Sequence, residues 1–286
     1  EQNVESEDGN NVYLTIDETI QSICEKYMQK GVEDNNVLNK GVCIAMDVNT
    51  GAILAMVTTD GYDLNNPYEL SAKDKKKIKS TPKKKQAEAE SAALSNMWRN
   101  KAVADTYMPG SVFKMCVASA ALEENLVNEK TSFTCTGSIS VEGETIHCSN
   151  ISGHGTQNFV EAISNSCNPA FIQIGQMLGA GKFRQYYQGF GFSDKTGIDL
   201  PGEAEDSFWK EGKMGGVDLA VASFGQNFSI TPIQMITACA AVSNGGYVVQ
   251  PHVVSKITDS KGNVIKTVDK KNQKTGYFRR YIQEDE

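Results

Sequence analysis

The segment Tyr107-Met-Pro-Gly-Ser-Val-Phe-Lys114 places a hydroxyl and an amine at the start of an apolar helix. Pro109 and Gly110 interrupt the preceding structure. Apolar residues with helical spacing follow at Val112, Met115, Val117, Ala118, Ala121 and Leu122. Ser111 is therefore predicted in the first turn of a buried helix, with Lys114 one turn later on the same face. The helix dipole and burial both favour the neutral, basic form of that lysine. Such a pair is typical of a serine nucleophile that needs no histidine.

A Ser-x-x-Lys pattern is weak evidence by itself, because Ser80-Thr-Pro-Lys83 is a second copy without the Pro-Gly break or the apolar helix. Two downstream segments support the first copy. Ser166-Cys-Asn168 begins 55 residues after Ser111 (166 − 111), and Val221 to Gln234 contains Gly225-Gln-Asn227.

Together these segments resemble the transpeptidase domain of class B penicillin-binding proteins. The likeness covers nearly the whole chain in the right order, through five further segments: Val12–Asp17, Ala45–Met56, Asn100–Gly110, Gly153–Gly155 and Thr196–Gly202. It implies an α+β fold of the penicillin-binding protein and serine β-lactamase type, in which helices pack an antiparallel sheet beside a mostly helical lobe. Residues 1–11 are expected to be a linker from a missing pedestal domain, and residues 12–286 the transpeptidase domain.

The resemblance also implies catalytic roles for the matching residues. Ser111 would attack the carbonyl of a D-alanyl-D-alanine stem peptide, with Lys114 as general base and the Ser111 N–H helping to hold the oxyanion. Ser166 would relay a proton to the leaving amine, and Asn168 would bind the substrate amide and orient Lys114. As a structural alternative, Ser166 and Asn168 also suit helix caps. An amine from a neighbouring stem would complete the cross-link, and a β-lactam would leave the serine blocked.

Two family motifs depart from the usual pattern. Gly225 and Gln226 are expected to bind substrate, but Asn227 follows them where the family usually has glycine. The third catalytic motif is Lys-Thr-Gly on a core strand, and neither Lys195-Thr-Gly197 nor Lys274-Thr-Gly276 lies in a suitable context. The segment Tyr277 to Ile282 looks like the helix that precedes that strand. The chain is therefore expected to stop before the catalytic strand, which puts its activity in doubt.

Composition excludes some functions. A net charge of −7 argues against nucleic-acid binding, and no apolar run approaches the ~20 residues that a membrane span needs. The resemblance nevertheless implies a missing N-terminal membrane anchor, a location at the extracytoplasmic face of the bacterial cell membrane, and a glycosyltransferase partner in a cell-wall complex.

Three of the seven cysteines, Cys135, Cys148 and Cys167, lie close together in the sequence with His147 and His154. Separate buried thiols are one interpretation. A disulfide such as Cys148 to Cys167, or Cys135 to Cys148, is a second. A structural zinc held by Cys148, His154 and Cys167 with a distant carboxylate is the third, and serine acylation itself would require no metal or other cofactor.

The remaining pattern predicts a helix capped by Asp17, a hairpin through Asn49-Thr-Gly51 and another through Ser260 to Asn263. Residues 61–100 are polar, with eight lysines from Lys73 to Lys85. We favour a solvated surface helix and loop there over a contact with anionic lipid or wall polymer.

The sequence thus predicts a serine D,D-transpeptidase that cross-links peptidoglycan and binds penicillin covalently. The Ser166-Cys-Asn168 region and Gly153-His-Gly155 most resemble sporulation-specific members of the class, with vegetative division or elongation members as close alternatives. A serine β-lactamase is an alternative, which would need a base positioned for deacylation. A non-catalytic β-lactam sensor or scaffold is another.

Overall fold

The computed structural model describes residues 8–37, 41–59, 61–205, 207–268 and 272–275. Most of the expected linker (residues 1–7) lies outside the described residues. So do Gly276 and the segment 277–282 that was predicted to open a helix.

Eleven strands and nine α-helices occur in this part of the chain. The strands are β1 (Asn11–Leu14), β2 (Val42–Met46), β3 (Ile53–Thr58), β4 (Ser132–Cys135), β5 (Ser138–Val141), β6 (Glu144–His147), β7 (Gly155–Asn158), β8 (Tyr247–Val249), β9 (Val254–Thr258), β10 (Val264–Thr267) and β11 (Asn272–Thr275). The helices are α1 (Glu18–Asp34), α2 (Ala72–Ser80), α3 (Gln86–Trp98), α4 (Lys101–Ala104), α5 (Lys114–Glu123), α6 (Phe159–Ser164), α7 (Asn168–Gly189), α8 (Gly216–Ala222) and α9 (Pro232–Ser243). Short 3-10 turns span Lys83–Lys85 and Gly110–Phe113.

Every strand pairing in this part of the chain is antiparallel. Strands β1, β9 and β10 form a three-stranded sheet in the order β1-β9-β10, and the pairs β2-β3, β4-β7, β5-β6 and β8-β11 form two-stranded sheets. The α+β class is therefore as predicted, with the antiparallel strands divided among several small sheets. No helix in the described ranges is long and apolar enough to span a bilayer.

Local sequence signals explain the first elements. The Asp17 carboxylate accepts a hydrogen bond from the Ile20 N–H at 2.9 Å, so it caps α1 as predicted. The predicted first hairpin is β2-β3, and its turn is held by the Asp47 carboxylate, which accepts from the N–H groups of Asn49 and Thr50. Strands β9 and β10 form the second predicted hairpin.

The main core surrounds α5 and α7 and includes a cluster of aromatic rings. Phe113 is 2% exposed, and its ring centroid lies 4.9 Å from that of Phe228 and 5.5 Å from that of Phe192. Burying a side chain of this size stabilises a fold by about 1.5–3 kcal/mol. Because Phe113 is only two residues after Ser111, this core anchors the segment that carries the serine.

A second anchor is made by backbone hydrogen bonds on the other side of Ser111. Tyr107 and Ile230 exchange two N–H···O bonds of 2.9 and 3.0 Å, and the Gly110 N–H donates to the Gly225 carbonyl at 2.8 Å. A Cβ on Gly225 would lie 2.0 Å from the Gly110 carbonyl oxygen, and the φ of Gly225 is +81°. Only glycine fits there, since both the backbone conformation and the contact exclude a side chain.

We therefore expect Gly225→Ala to destabilise the protein by about 2–4 kcal/mol, because it combines left-handed strain with a backbone clash. Gly202→Ala is the matched control: its φ is +82°, but nothing lies within 4 Å of the added Cβ. That variant should lose only the strain energy of about 1–2 kcal/mol. Urea unfolding measures both, and equal losses would contradict the packing role of Gly225.

Candidate active site

Ser111 lies in the 3-10 turn Gly110–Phe113, directly before α5, and its side chain is exposed. The prediction of a helix start is confirmed, although the first turn is 3-10 and not α-helical. Gly110 has a φ of +60°, which lets the chain turn sharply between Pro109 and the serine. The exposed hydroxyl is thus presented by a segment whose two ends are fixed in the protein.

Lys114, by contrast, is only 4% exposed. Its Nζ donates to the Ser166 carbonyl at 2.7 Å, to the Ser166 Oγ at 3.0 Å and to the Asn168 Oδ1 at 2.8 Å. An ammonium has three N–H donors, so these three acceptors satisfy it completely. The structure therefore brings together three of the four predicted catalytic side chains, with Ser111 one helical turn from the lysine.

Burial lowers the pKa of Lys114 from its ordinary value to about 8, because a charged amine is poorly solvated at this position. The nearby sulfur groups of Cys167 and Cys148 act electrostatically in the opposite direction, but burial is the larger effect. A lysine with a pKa of about 8 is partly neutral near neutral pH, and a neutral amine has the lone pair that a general base requires.

The position of Ser166 follows from how α6 ends. The Ser166 N–H donates to the Ile163 carbonyl at 2.9 Å and the Cys167 N–H to the Ala162 carbonyl at 3.0 Å, which is the Schellman pattern of helix termination. This pattern places Ser166 in the left-handed region, with a φ of +47°, where glycine is usual. As a result both the carbonyl and the hydroxyl of Ser166 reach Lys114.

Asn168 is the first residue of α7, and Pro169 follows it in the first turn, where proline is favoured. Its Oδ1 accepts from Lys114, and its Nδ2 donates to the His147 carbonyl at 3.2 Å. Both ends of the amide are therefore held, which fixes the side chain between β6 and the lysine.

The remaining predicted site residues have different environments. Gly225 is buried against Gly110, so it positions the segment that carries Ser111, whereas Gln226 is exposed. Contacts of Gly225 and Gln226 with the substrate stay a prediction.

The two Lys-Thr-Gly copies lie in different surroundings. Thr196 of the first copy is buried, and its N–H and hydroxyl donate hydrogen bonds to the Glu203 carboxylate, which is typical of a structural turn. Lys274 and Thr275 of the second copy lie on β11, which pairs with β8.

The predicted metal ligands Cys148, His154 and Cys167 do come together, and Cys135 joins them. One ligand atom from each of the four residues lies within 4.8 Å of all the others. The fourth side chain in this group is therefore a cysteine, where a distant carboxylate had been expected, and metal binding itself stays a prediction. Antiparallel pairing of β4 with β7 places Cys135 opposite Gly155, next to His154.

This donor set suits zinc. Three sulfurs and one imidazole nitrogen are a common structural zinc set, and a tetrahedron with Zn–S bonds of about 2.3 Å has sulfur–sulfur edges of about 3.8 Å. Burial raises the pKa of Cys167 to about 12, so this thiol is protonated until a metal displaces the proton. The pKa of Cys148 is lowered despite its burial, because the backbone N–H groups of Asn150 and Asn168 hydrogen-bond the sulfur.

Gln157 provides a separate observation on the same cluster. Its Nε2 is buried with no hydrogen-bond partner among the described residues, and its side chain lies beside Cys167. A metal-bound thiolate is a good acceptor for such a donor, whereas a neutral thiol is a weak one. All seven cysteines are free thiols in the structure, so neither suggested disulfide is formed.

Comparison with known proteins places this site in a family. Residues 41–285 match the family described as the penicillin binding protein transpeptidase domain. Stage V sporulation protein D of Bacillus subtilis is 34% identical over 253 residues, which are 88% of this chain and 36% of that protein. Peptidoglycan D,D-transpeptidase MrdA of Acinetobacter baumannii is 29% identical over 259 residues, 86% of this chain and 35% of that protein. The chain thus spans about a third of the length of these relatives.

Solved structures confirm the predicted fold. The penicillin G acyl-enzyme complex of penicillin-binding protein A from Mycobacterium tuberculosis superposes with a TM-score of 0.74 at 27% identity, over 94% of this chain and 60% of that one. The ampicillin complex of penicillin-binding protein 3 from the same organism has a TM-score of 0.78 at 23% identity, over 96% of this chain and 56% of that one. On these grounds the chain belongs to the penicillin-binding protein transpeptidase family.

Proposed function

We propose that this chain is the catalytic part of a peptidoglycan D,D-transpeptidase that works through an acyl-enzyme on Ser111. The observation that carries the proposal is the buried Lys114 amine, held by Ser166 and Asn168 and lying one turn after an exposed serine. The similar proteins include a peptidoglycan D,D-transpeptidase and a penicillin acyl-enzyme, which supports the same chemistry.

In the proposed first step, the Ser111 Oγ attacks the carbonyl carbon of a D-alanyl-D-alanine bond and its proton passes to the neutral Lys114 Nζ. The Ser111 N–H at the start of the turn helps to stabilise the oxyanion. Ser166 then relays a proton from Lys114 to the departing nitrogen, the C–N bond breaks, and D-alanine leaves. Asn168 binds the substrate amide and keeps Lys114 oriented.

In the second step, an amine of a neighbouring stem peptide attacks the ester, which forms a new amide and restores the serine. A β-lactam enters by the same first step and leaves Ser111 blocked. Similarity to a stage V sporulation protein supports a role in spore cortex synthesis. We further propose that the whole protein is anchored, works at the extracytoplasmic face of the membrane and acts with a glycosyltransferase.

The decisive experiment is intact-mass spectrometry of the protein after incubation with benzylpenicillin. The wild-type chain should gain the mass of one penicillin, and Ser111→Ala should gain none, because Ser111 is the proposed nucleophile. The other hydroxyl beside the Lys114 amine, that of Ser166, is proposed only to relay a proton. Ser80→Ala is the control, since Ser80 begins the second Ser-x-x-Lys segment yet sits on an exposed helix.

Three outcomes would count against the proposal. An adduct that persists in Ser111→Ala would assign the nucleophile elsewhere. A folded wild-type chain that gains no mass would show that this chain does not form the acyl-enzyme by itself. Rapid turnover of nitrocefin without a stable adduct would favour a β-lactamase.

Acylation should also depend on pH in a defined direction. Only neutral Lys114 can accept the Ser111 proton, and the pKa of this amine is about 8. The second-order rate constant for acylation should therefore rise about tenfold per pH unit well below pH 8 and level off above it. Stopped-flow measurements with a fluorescent penicillin between about pH 6 and pH 9.5 test this. A flat profile would contradict the assignment of Lys114 as the base.

We also propose that Cys135, Cys148, His154 and Cys167 bind a structural zinc ion. Acyl transfer on serine requires no cofactor, so the metal would stabilise the loops around Cys167 without taking part in the reaction. The residues on both sides of Cys167 are Ser166 and Asn168, which hold Lys114.

Native mass spectrometry should find one zinc per chain in the wild type and none in the double variant Cys135→Ser, Cys148→Ser. The double variant should also unfold at lower temperature. Cys239→Ser, outside the cluster, should keep the metal. A metal-free wild type with a mass lower by two hydrogens would instead support a disulfide.

A further inference from the structure

The charge of this protein is very unevenly distributed. The chain has a net charge of −7, yet residues 75–85 contain seven lysines and no acidic residue, so the rest of the sequence carries −14 (−7 − 7). Together with Lys73, these side chains form a lysine patch on α2 and the following 3-10 turn: Lys73, Lys75, Lys76, Lys77, Lys79, Lys83, Lys84 and Lys85.

The lysines of the patch are exposed and almost entirely unpaired. All eight have exposed side chains, and within the described ranges only Lys75 forms an ion pair, with Glu69. Asp74 is the acid nearest in sequence, and the Ser71 hydroxyl at the start of α2 donates to its carboxylate at 2.6 Å. Seven like charges thus face solvent together, which is an unfavourable arrangement for the isolated protein.

The helical geometry of α2 shows which kind of partner fits. Asp74 and Ile78 are half-buried and lie four residues apart on the inner face. At 3.6 residues per turn, the five lysines of α2 occupy the remaining arc of about 200°. The three lysines of the 3-10 turn point in three further directions, since that helix has three residues per turn.

A flat membrane would contact only part of such an arc, and the one apolar side chain in the arc, that of Ala72, is too small to insert among lipid chains. A flexible chain of negative charges would instead wrap around α2 and meet most of the lysines.

The sequence alone favours a solvated surface for these lysines, but their exposure and lack of ion pairs support a different interpretation. We propose that the lysine patch binds a linear, phosphodiester-linked wall polymer. This inference goes beyond the transpeptidase proposal and does not depend on it. Lys73, at one end of the patch, lines an open cleft of about 1210 Å³ that Tyr107 of the nucleophile segment also lines. The cleft is also lined by the carboxylates of Asp63, Glu69, Asp74 and Asp105, so a polyanion would stay on the patch at the rim of the cleft and keep the domain at polymer-bearing wall.

The test is a titration of the 286-residue chain against a fluorescein-labelled glycerol-phosphate oligomer of about ten units, followed by fluorescence anisotropy. The patch variant replaces five lysines by glutamine: Lys76→Gln, Lys77→Gln, Lys79→Gln, Lys84→Gln and Lys85→Gln. The control variant replaces five scattered, exposed lysines that form no ion pair in the described part of the chain: Lys130→Gln, Lys210→Gln, Lys213→Gln, Lys261→Gln and Lys266→Gln. Both variants have a net charge of −12 (−7 − 5).

The wild type should bind the oligomer, and its affinity should fall roughly 100-fold between about 50 and 200 mM salt as counterions are released. The patch variant should bind at least about tenfold more weakly, while the control variant stays within about twofold of the wild type. Both variants should unfold at nearly the same temperature as the wild type, because all ten substituted positions are exposed. Thermal unfolding measurements check that both variants are folded.

Two results would overturn the proposal. Equal weakening in both variants would mean that net charge alone attracts the oligomer. Binding to phosphatidylglycerol vesicles without binding to the oligomer would assign the patch to a membrane surface instead.

Discussion

The Lys114 amine is buried without a carboxylate partner in the described part of the chain, and three neutral acceptors take its protons. A carboxylate would have fixed the positive charge and so prevented the amine from acting as the proposed base. An apolar pocket would have left the amine unsatisfied at a cost of about 1–3 kcal/mol. Carbonyl, hydroxyl and amide oxygens satisfy it and still allow the neutral form. The end of α6, the start of α7 and the anchoring of the Ser111 turn all serve to bring these groups together.

Much of this arrangement could be predicted from the sequence, because the signals are local. Pro109 and Gly110 mark the break before Ser111, the spacing from Ser111 to Lys114 is one helical turn, and Asp17 has the side chain of a helix cap. Ser166 and Asn168 were assigned to the site only because the order of the matching segments resembles that of a known family. Their contacts with Lys114 are long-range, and no spacing rule predicts them.

Other features depend on pairing that the sequence does not reveal. Cys135 reaches the zinc-like cluster only because β4 lies antiparallel to β7 in one register, which sets it opposite Gly155. A shift of one residue would have pointed its sulfur to the other face. In the same way, Gly225 was predicted to bind substrate, but its contact with the Gly110 carbonyl appears only when segments 107–110 and 225–230 are seen side by side.

The left-handed backbone of Ser166 places stability in opposition to the catalytic role proposed for this residue. Glycine at this position would relieve about 1 kcal/mol of strain and make a better helix terminus, yet it would remove the hydroxyl that faces Lys114. Selection for thermal stability alone would therefore favour glycine at this position, which would increase the free energy of unfolding and remove the hydroxyl proposed to relay the proton. Attempts to raise the thermal stability of the domain by consensus-type substitutions at helix ends should therefore leave Ser166, at the end of α6, unchanged.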